Sequence, residues 1–443
     1  MRYIKVSDFL LKFLVVASPV LYFPYAEEPF RPFRETLFHI VILGVFIFTV
    51  AHYVDSRLHN ERPERKFTRD GPTAATAVLF ALSAAFFWVS LAFNEVTPIA
   101  LKTAVNFTLG LALFAAFVEA MDRWPVHEWI PPVLAAAVLN SALAVAQYAG
   151  WDPLFFSLDP DFHSKQPKYL VAGLMDSPNM LTPYLVSAVP LVFGRWISGN
   201  TPGNFFKYGF LLVLLLTPVA LSQNLAGWLG LFAAMSGLLV YLTLRARYAT
   251  GGALFKKVIG CWILAAIILV SGMFMYASRD DGSKEIKSFS ISERIDQNRA
   301  AWMMFAESPL TGKGPNYFYR HYVEYRRAVW LENPPPILPL RTAHQVHNEY
   351  LQLLAEGGLL TGVPLALLLF YWLWSHLLYL KKRLKQKELN SGEILFLGAA
   401  GGFWSIMVNA VANFPFHVEP LAVTAIFWAA AAHRMIRHSE DDG

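Results

Sequence analysis

The sequence has almost no cysteine. Cys261 is the single one in 443 residues, and it lies inside an apolar run. That excludes a disulfide framework and a cysteine-ligated metal site. Charge is scarce too: 16% of residues, where a water-soluble chain usually carries about 25%. No internal repeat is visible. No small-residue cleavage pattern follows the first apolar run, which therefore reads as a first helix and not as a removed signal. The net charge of +5 does not imply nucleic acid, because most basic residues sit in short segments between apolar runs.

What is present is long hydrophobic sequence, 55% of the chain. Twelve runs cross or nearly cross a bilayer: 10–25, 36–53, 73–93, 99–117, 129–148, 181–196, 210–221, 228–244, 259–276, 359–380, 394–411 and 421–436. Several fall short of the roughly 20 residues a span needs, so their ends extend into flanking sequence. The run 210–221 is the least span-like and reads as a span or as a re-entrant element. The expected fold class is an all-α integral membrane protein with about 12 transmembrane helices.

Basic residues orient the set. Arg57, Arg62, Arg65, Lys66 and Arg69 follow the second run, Arg245, Arg247, Lys256 and Lys257 the eighth, and Lys381, Lys382, Arg383, Lys385 and Lys387 the tenth. With twelve spans and a cytoplasmic N-terminus, all three clusters are cytoplasmic, and the short loops 94–98 and 413–420 are outside. One outside segment is long. Residues 278–343 have no apolar run, carry charges of both signs, and hold five aromatics between Tyr317 and Tyr325. Helical signals there favour an ordered, functional segment. Three regions are expected: 1–277 with helices one to nine, 278–357 as an outer catalytic loop with short helices between helices 9 and 10, and 358–443 with the last three helices and a cytoplasmic tail.

Candidate chemistry concentrates at 342–358. Thr342 and Gln345 have capping-box spacing, which predicts a helix start there. His344, His347, Leu351 and Leu354 would then share a face, and Gly357 and Gly358 would end the helix. A histidine near the positive end of a helix is favoured neutral, and a neutral imidazole accepts a proton from a hydroxyl nucleophile. Unperturbed, it titrates at roughly pH 6 to 7. The alternative is a pair of interfacial anchors. A zinc reading needs a third protein ligand, and His321, His417 and Glu419 have no diagnostic spacing, so no metal is assigned.

A second constellation precedes it. Ile291, Ile295, Trp302 and Phe305 form a helical apolar stripe that suits a membrane surface, with Arg294 on the polar side. A guanidinium at headgroup level can grip a pyrophosphate with its fork of donors, or simply bind lipid headgroups. Gly312 and Gly314 mark a tight turn. Earlier, Gln147 to Gly150 closes the fifth run, and Gly173, Asp176, Pro178 and Asn179 precede the sixth, a pattern that turn chemistry alone explains. Asn413-Phe-Pro-Phe-His417-Val-Glu419 is an outer loop able to bring polar groups towards His347.

Together these residues resemble the O-antigen ligase and O-antigen polymerase superfamily, from about Gln147 to the C-terminus. The resemblance rests on Gln147-x-x-Gly150, on Gly173 to Asn179, on Arg294 followed by Pro309-Leu-x-Gly312-x-Gly314, and on His347-Asn-Glu-Tyr-Leu. It implies twelve spans, a large periplasmic loop, and transfer of a glycan from undecaprenyl pyrophosphate to an acceptor hydroxyl, without nucleotide sugar, cofactor or obligatory metal. It places the essential histidine on His347 and the loop arginine on Arg294. The chain departs from the family at Leu225, where an arginine that contacts the donor is usual, and at Asn413, where aspartate is common. Arg299 or Arg341 would have to replace the first. A repeated Arg-x10-Gly pattern of some polymerases is missing from the outer loops, which tilts the expectation to ligase-type transfer.

The expectation is thus an inverting, metal-independent glycosyltransferase of the bacterial inner membrane, acting at the periplasmic face. His347 would be catalytic, and Arg294, Arg299, Arg341, His344, Asn179 and His417 would bind substrate. Its partners would be the undecaprenyl-pyrophosphate glycan, a glycolipid or glycan acceptor such as lipid A core, and membrane lipid. The alternatives are a polysaccharide polymerase, a protein O-oligosaccharyltransferase and, from another class, a flippase. The flippase is disfavoured because the spans have little central charge.

Overall fold

The computed structural model describes residues 2–22, 31–58, 71–151, 171–175, 177–199, 201–222, 224–248, 256–260, 262–263, 281–332, 342–386 and 389–441. The helices named here are α1 (Arg2–Ala17), α2 (Arg31–Leu58), α3 (Gly71–Ala92), α4 (Pro98–Arg123), α5 (Ile130–Tyr148), α6 (Pro178–Ser198) and α7 (Pro202–Ser222). Then come α8 (Leu225–Ala246), α9 (Asp281–Glu307), α10 (Tyr317–Glu332), α11 (Glu349–Arg383), α12 (Ser391–Asn409) and α13 (Glu419–Asp441). No strand occurs among the described residues.

Nine of these helices are long and apolar enough to cross a membrane among the described residues: α2 to α8, α11 and α12. The run at 210–221 is no re-entrant piece. It belongs to α7, one continuous helix of 21 residues that begins at Pro202. At 16 residues α1 is shorter than the nine, and α13 carries Arg434 and Arg437. The expected ninth span, 259–276, lies largely outside the described residues. Large apolar side chains such as Phe46, Phe210 and Phe370 are exposed, as lipid-facing positions should be.

Contacts between helix ends sort the bundle into two ends. At one, Asp8 of α1 pairs with Arg123 of α4, Asp122 with Arg434 of α13, and Arg245 of α8 with Glu393 of α12. At the other, Asn413 donates to the Asn179 carbonyl, Arg294 to that of Ala412, and Arg320 pairs with Glu95. The direction of consecutive helices alternates accordingly. The first end carries Arg245 and the lysine-rich last turn of α11, and the second carries α9 and α10.

Helix α6 runs through the centre, with every residue from 181 to 194 buried. It lies close to α12 because α12 presents glycines there. A Cβ on Gly398 would sit 2.6 Å from Leu191 Cβ, and one on Gly402 would sit 2.5 Å from the Ser187 carbonyl oxygen. Small residues are how membrane helices approach when lipid offers no hydrophobic drive.

Helices α9 and α10 form an ordered unit. Ala300, Ala301, Met304, Phe318 and Tyr322 make its core and include Val346 and Ala355 of the following chain. Buried Arg326 lies 4.5 Å from the Trp330 ring centre, and Trp330 donates to Asp296 at 3.0 Å. Ile291, Ile295 and Trp302 remain exposed on the opposite side of α9, which agrees with the membrane-surface stripe.

The predicted helix start at Thr342 is corrected. Residues 342–348 are irregular, and α11 begins at Glu349 with Asn348 as its N-cap, accepting from the Leu351 amide at 3.1 Å. The Thr342 frame loses because tertiary contacts engage its residues: Gln345 Oε1 accepts from Gln352, and His344 stacks on Tyr319 of α10. The two glycines interrupt α11 without ending it. Gly358 adopts φ 64° and ψ −171°, and the helix continues to Arg383.

That interruption is filled by the segment after α9. The amides of Leu359 and Leu360 donate to the carbonyls of Pro309 and Leu310, at 2.8 and 3.0 Å. In return the amides of Lys313 and Gly314 donate to the carbonyls of Ala355 and Glu356, both at 2.9 Å. Backbone groups freed by the kink are thus satisfied by another segment, which burial demands. Only glycine fits the crossing. A Cβ on Gly312 would stand 2.4 Å from Glu356 backbone atoms, and one on Gly358 would stand 2.3 Å from the Leu310 oxygen. Both have positive φ.

Candidate active site

The loop between α12 and α13 is the hub. Ala412 accepts from Arg294 at 3.1 Å. Asn413 donates to the Asn179 carbonyl at 3.0 Å, at the start of α6. The Phe414 ring meets the His347 imidazole edge-on, with centres 4.8 Å apart. His417 Nδ1 lies 2.9 Å from a Glu349 oxygen, and its Nε2 lies 3.3 Å from Gln352 Nε2. Four residues named from sequence therefore converge on one short loop: Arg294, Asn179, His347 and His417.

His347 sits immediately before the N-cap of α11, in a left-handed conformation with φ 57°. For a residue with a Cβ this costs roughly 1–2 kcal/mol. It turns the chain sharply into the helix. Nδ1 of the imidazole is buried and has no hydrogen-bond partner among the described residues. Burial, and then the charge of Arg294, bring its pKa down to about 4. The ring is therefore neutral at physiological pH, as its place at a helix N-terminus led us to expect, but its titration lies well below the unperturbed pH 6 to 7.

Arg294 is half-buried, and desolvation lowers its pKa. It donates to the Ala412 carbonyl, and among the described residues no carboxylate pairs with it. A partly desolvated guanidinium with donors to spare is suited to an incoming anion. Helices α6, α8 and α11 all begin at this end, so their positive ends add to the same field. Asn224 caps α8 by accepting from the Ala226 and Gly227 amides and donates to the Pro178 carbonyl, next to Asn179. Leu225, in place of the expected arginine, is exposed on the first turn of α8.

Other candidates are placed differently. His344 and His347 do not share a helix face. His344 is exposed, and its ring stacks on Tyr319 with centres 4.4 Å apart. Arg299 is exposed on α9, and Arg341 lies outside the described residues. Gln147 does not reach the site. Its amide oxygen accepts from Ala172 and Gly173, and its nitrogen donates to the Gly173 carbonyl, so it holds the segment before α6 in place. Among the described residues, no three His, Cys, Asp or Glu side chains gather as a metal site.

Sequence reasoning missed the polar side of α11. Gln352 accepts from the Val346 amide at 3.0 Å and donates to Gln345 at 2.8 Å and to Glu356 at 3.3 Å. Glu356 accepts from the Asn316 amide at 2.9 Å, and the Ser90 hydroxyl donates to its carbonyl at 2.7 Å. A glutamate and a glutamine on one face of a leucine-rich run are costly to bury, and that cost was the available signal.

The fold and this site define a multi-pass, all-α membrane protein with a cationic and histidine-bearing centre at one end of its bundle. Residues 210–366 match the family model described as O-antigen ligase, which supports the resemblance to the O-antigen ligase superfamily. The match runs from within α7 to within α11 and includes Arg294 and His347. It supports an O-antigen ligase or polymerase type of membrane glycosyltransferase. No curated protein matches the chain.

Proposed function

We propose that the protein transfers a glycan from undecaprenyl pyrophosphate to an acceptor hydroxyl, at the periplasmic face of the inner membrane, with inversion at the sugar. The observation that carries this reading is the pairing of an Arg294 that lacks a carboxylate partner among the described residues with a neutral His347 near enough to feel its charge. The acceptor O–H gives its proton to an imidazole nitrogen of His347. The acceptor oxygen bonds to the anomeric carbon as the bond from that carbon to pyrophosphate oxygen breaks, and the electron pair leaves with the pyrophosphate. Arg294 holds that leaving group, where charge builds in the transition state. The anion also offsets the Arg294 charge, which raises the His347 pKa and makes it a better base while donor is bound.

Asn179 and His417 flank this pair through the 412–417 loop and line the substrate path. Arg299, exposed on α9, extends the cationic surface towards the donor and substitutes for the arginine that Leu225 replaces. His344, stacked on Tyr319, offers an aromatic platform at the edge. The test uses purified protein, undecaprenyl-pyrophosphate glycan and a lipid A core acceptor. Glycosylated acceptor with inverted anomeric configuration is the expected product. Donor-linked glycan that lengthens while the acceptor stays bare assigns a polymerase instead. No transfer to either acceptor overturns the reading.

A further inference from the structure

A cavity with a few polar groups in a mostly apolar lining lies at the opposite end of the bundle, between α11 and α13. It encloses about 320 Å³ and is lined by Trp372, Ser375, His376, Tyr379, Lys382 and His433, among others. Residues 349 and 376 both belong to α11, whose rise separates the two sites by roughly 40 Å. This cavity is no part of the transfer site.

His376 is the informative residue. It is 6% exposed, and its Nδ1 lies 3.0 Å from Trp404 Nε1. An indole N–H only donates, so Nδ1 must accept. The neutral ring therefore carries its proton on Nε2. No hydrogen bond to Nε2 occurs among the described residues, and that donor is left for the cavity that His376 lines. An acceptor atom bound in the cavity would pair with that donor. Beside it are the Ser375 hydroxyl and Lys382, an exposed ammonium that forms no ion pair among the described residues. Lys381 and Arg383 adjoin it, so the mouth is cationic. His433 closes the other wall, bonded to Thr73 at 2.9 Å.

The rest of the surroundings is greasy. Trp374 and Leu378 are exposed beside the cavity, and Ala429 and Ile436 form apolar wall. A site with hydrogen-bond donors inside, a cation at the mouth and exposed aromatics at its flank suits a phosphate attached to acyl chains. We propose that this cavity binds the phosphate headgroup of an anionic membrane lipid, in the leaflet at the lysine-rich end. Lys382 supplies the charge, and His376 and Ser375 supply directed donors.

The experiment titrates the purified full-length protein in neutral detergent with phosphatidylglycerol, with phosphatidylcholine of the same chains, and with inorganic phosphate. Bound lipid is read by native mass spectrometry. Phosphatidylglycerol should bind more tightly than phosphatidylcholine. One lysine near anionic lipid is worth about 1 kcal/mol, so Lys382→Ala should weaken phosphatidylglycerol about fivefold and Lys382→Arg should leave it unchanged. His376→Phe should weaken it as well. Should that variant fail to fold, Lys382→Ala decides alone, because Lys382 is exposed. Equal binding of the two lipids, or unchanged phosphatidylglycerol affinity in Lys382→Ala, overturns the proposal. Displacement of phosphatidylglycerol by millimolar phosphate alone would keep the phosphate site and overturn the lipid as its source.

Discussion

The two ends of the bundle use charge in opposite ways. At the basic end, charges are spent on one another. Arg245 and Glu393 are both buried and 3.1 Å apart, with the Tyr241 hydroxyl donating to the same carboxylate. Arg123 binds Asp8 at 2.5 Å, and Trp124 donates to that carboxylate at 2.9 Å. Around Arg294 and Gly358 the segments are tied by backbone carbonyls and amides instead. Asn413 to Asn179, Arg294 to Ala412 and the exchange around Gly358 involve no carboxylate. A carboxylate paired with Arg294 would occupy the donors that the proposed pyrophosphate needs. Arg320 does pair with Glu95 at that end, but around Arg294 the ties are neutral, which leaves that cation without a carboxylate among the described residues.

The strongest way to break this comparison is His347→Ala. Loss of a positioned proton acceptor typically costs about 10²–10⁴-fold in rate. We expect that loss in the purified transfer assay with thermal stability retained. Wild-type turnover in that variant would remove the chemistry from the site end. Next comes Glu393→Ala at the basic end. Breaking a buried ion pair costs about 3–5 kcal/mol because it strands the partner, here Arg245. The expected result is a sharp fall in melting temperature and yield, with normal turnover per folded molecule. A catalytic loss at unchanged stability would erase the contrast between the ends.

Arg294→Ala should cost about 10²–10³-fold in rate, the range seen when a preorganised donor to developing negative charge is removed. Arg294→Lys should recover only part, since lysine supplies a point charge and no fork. Full activity at equal protein level would end the pyrophosphate role. A smaller effect is expected from pH. His347 has a folded pKa of about 4, below the roughly 6.5 of an unfolded histidine. Its contribution to stability is therefore complete above about pH 6.5 and is lost as pH falls towards 4, because the unfolded state takes up the proton first. Turnover of enzyme saturated with acceptor should likewise not halve near pH 6 to 7. A midpoint at 6.5 that disappears in His347→Ala would show an imidazole unaffected by burial or by Arg294. The smallest effect is expected for His344→Ala, less than tenfold, because its exposed ring touches Tyr319 and not the hub loop. A dead His344→Ala beside an active His347→Ala would move the chemistry to the α10 side.

Much of this architecture was legible in advance. Runs of apolar residues gave nine of the helices, because a chain in lipid must satisfy its own backbone and does so locally. The pairing of Arg294 with His347 came from motif resemblance and was placed together by the fold. The details that set the chemistry were not legible. A capping box at Thr342 and Gln345 was as good a local signal as the asparagine cap at Asn348 that forms. What chose between them was the engagement of Gln345 by Gln352 and of His344 by Tyr319. Likewise Gly312 and Gly314 looked like any tight turn until Gly358 was placed against them.

The sequence by itself determined where the apolar helices run and offered His347 and Arg294 as candidates, since those follow from hydrophobic period and motif. Only the tertiary structure decided that His347 turns in the left-handed region, that its half-buried ring feels the Arg294 charge, and that Arg294 rests on a carbonyl 118 residues away. The physical reason is range. A helix is set by neighbours three and four residues apart, whereas the protonation of an imidazole and the partner of a guanidinium depend on whatever distant segments exclude water from them.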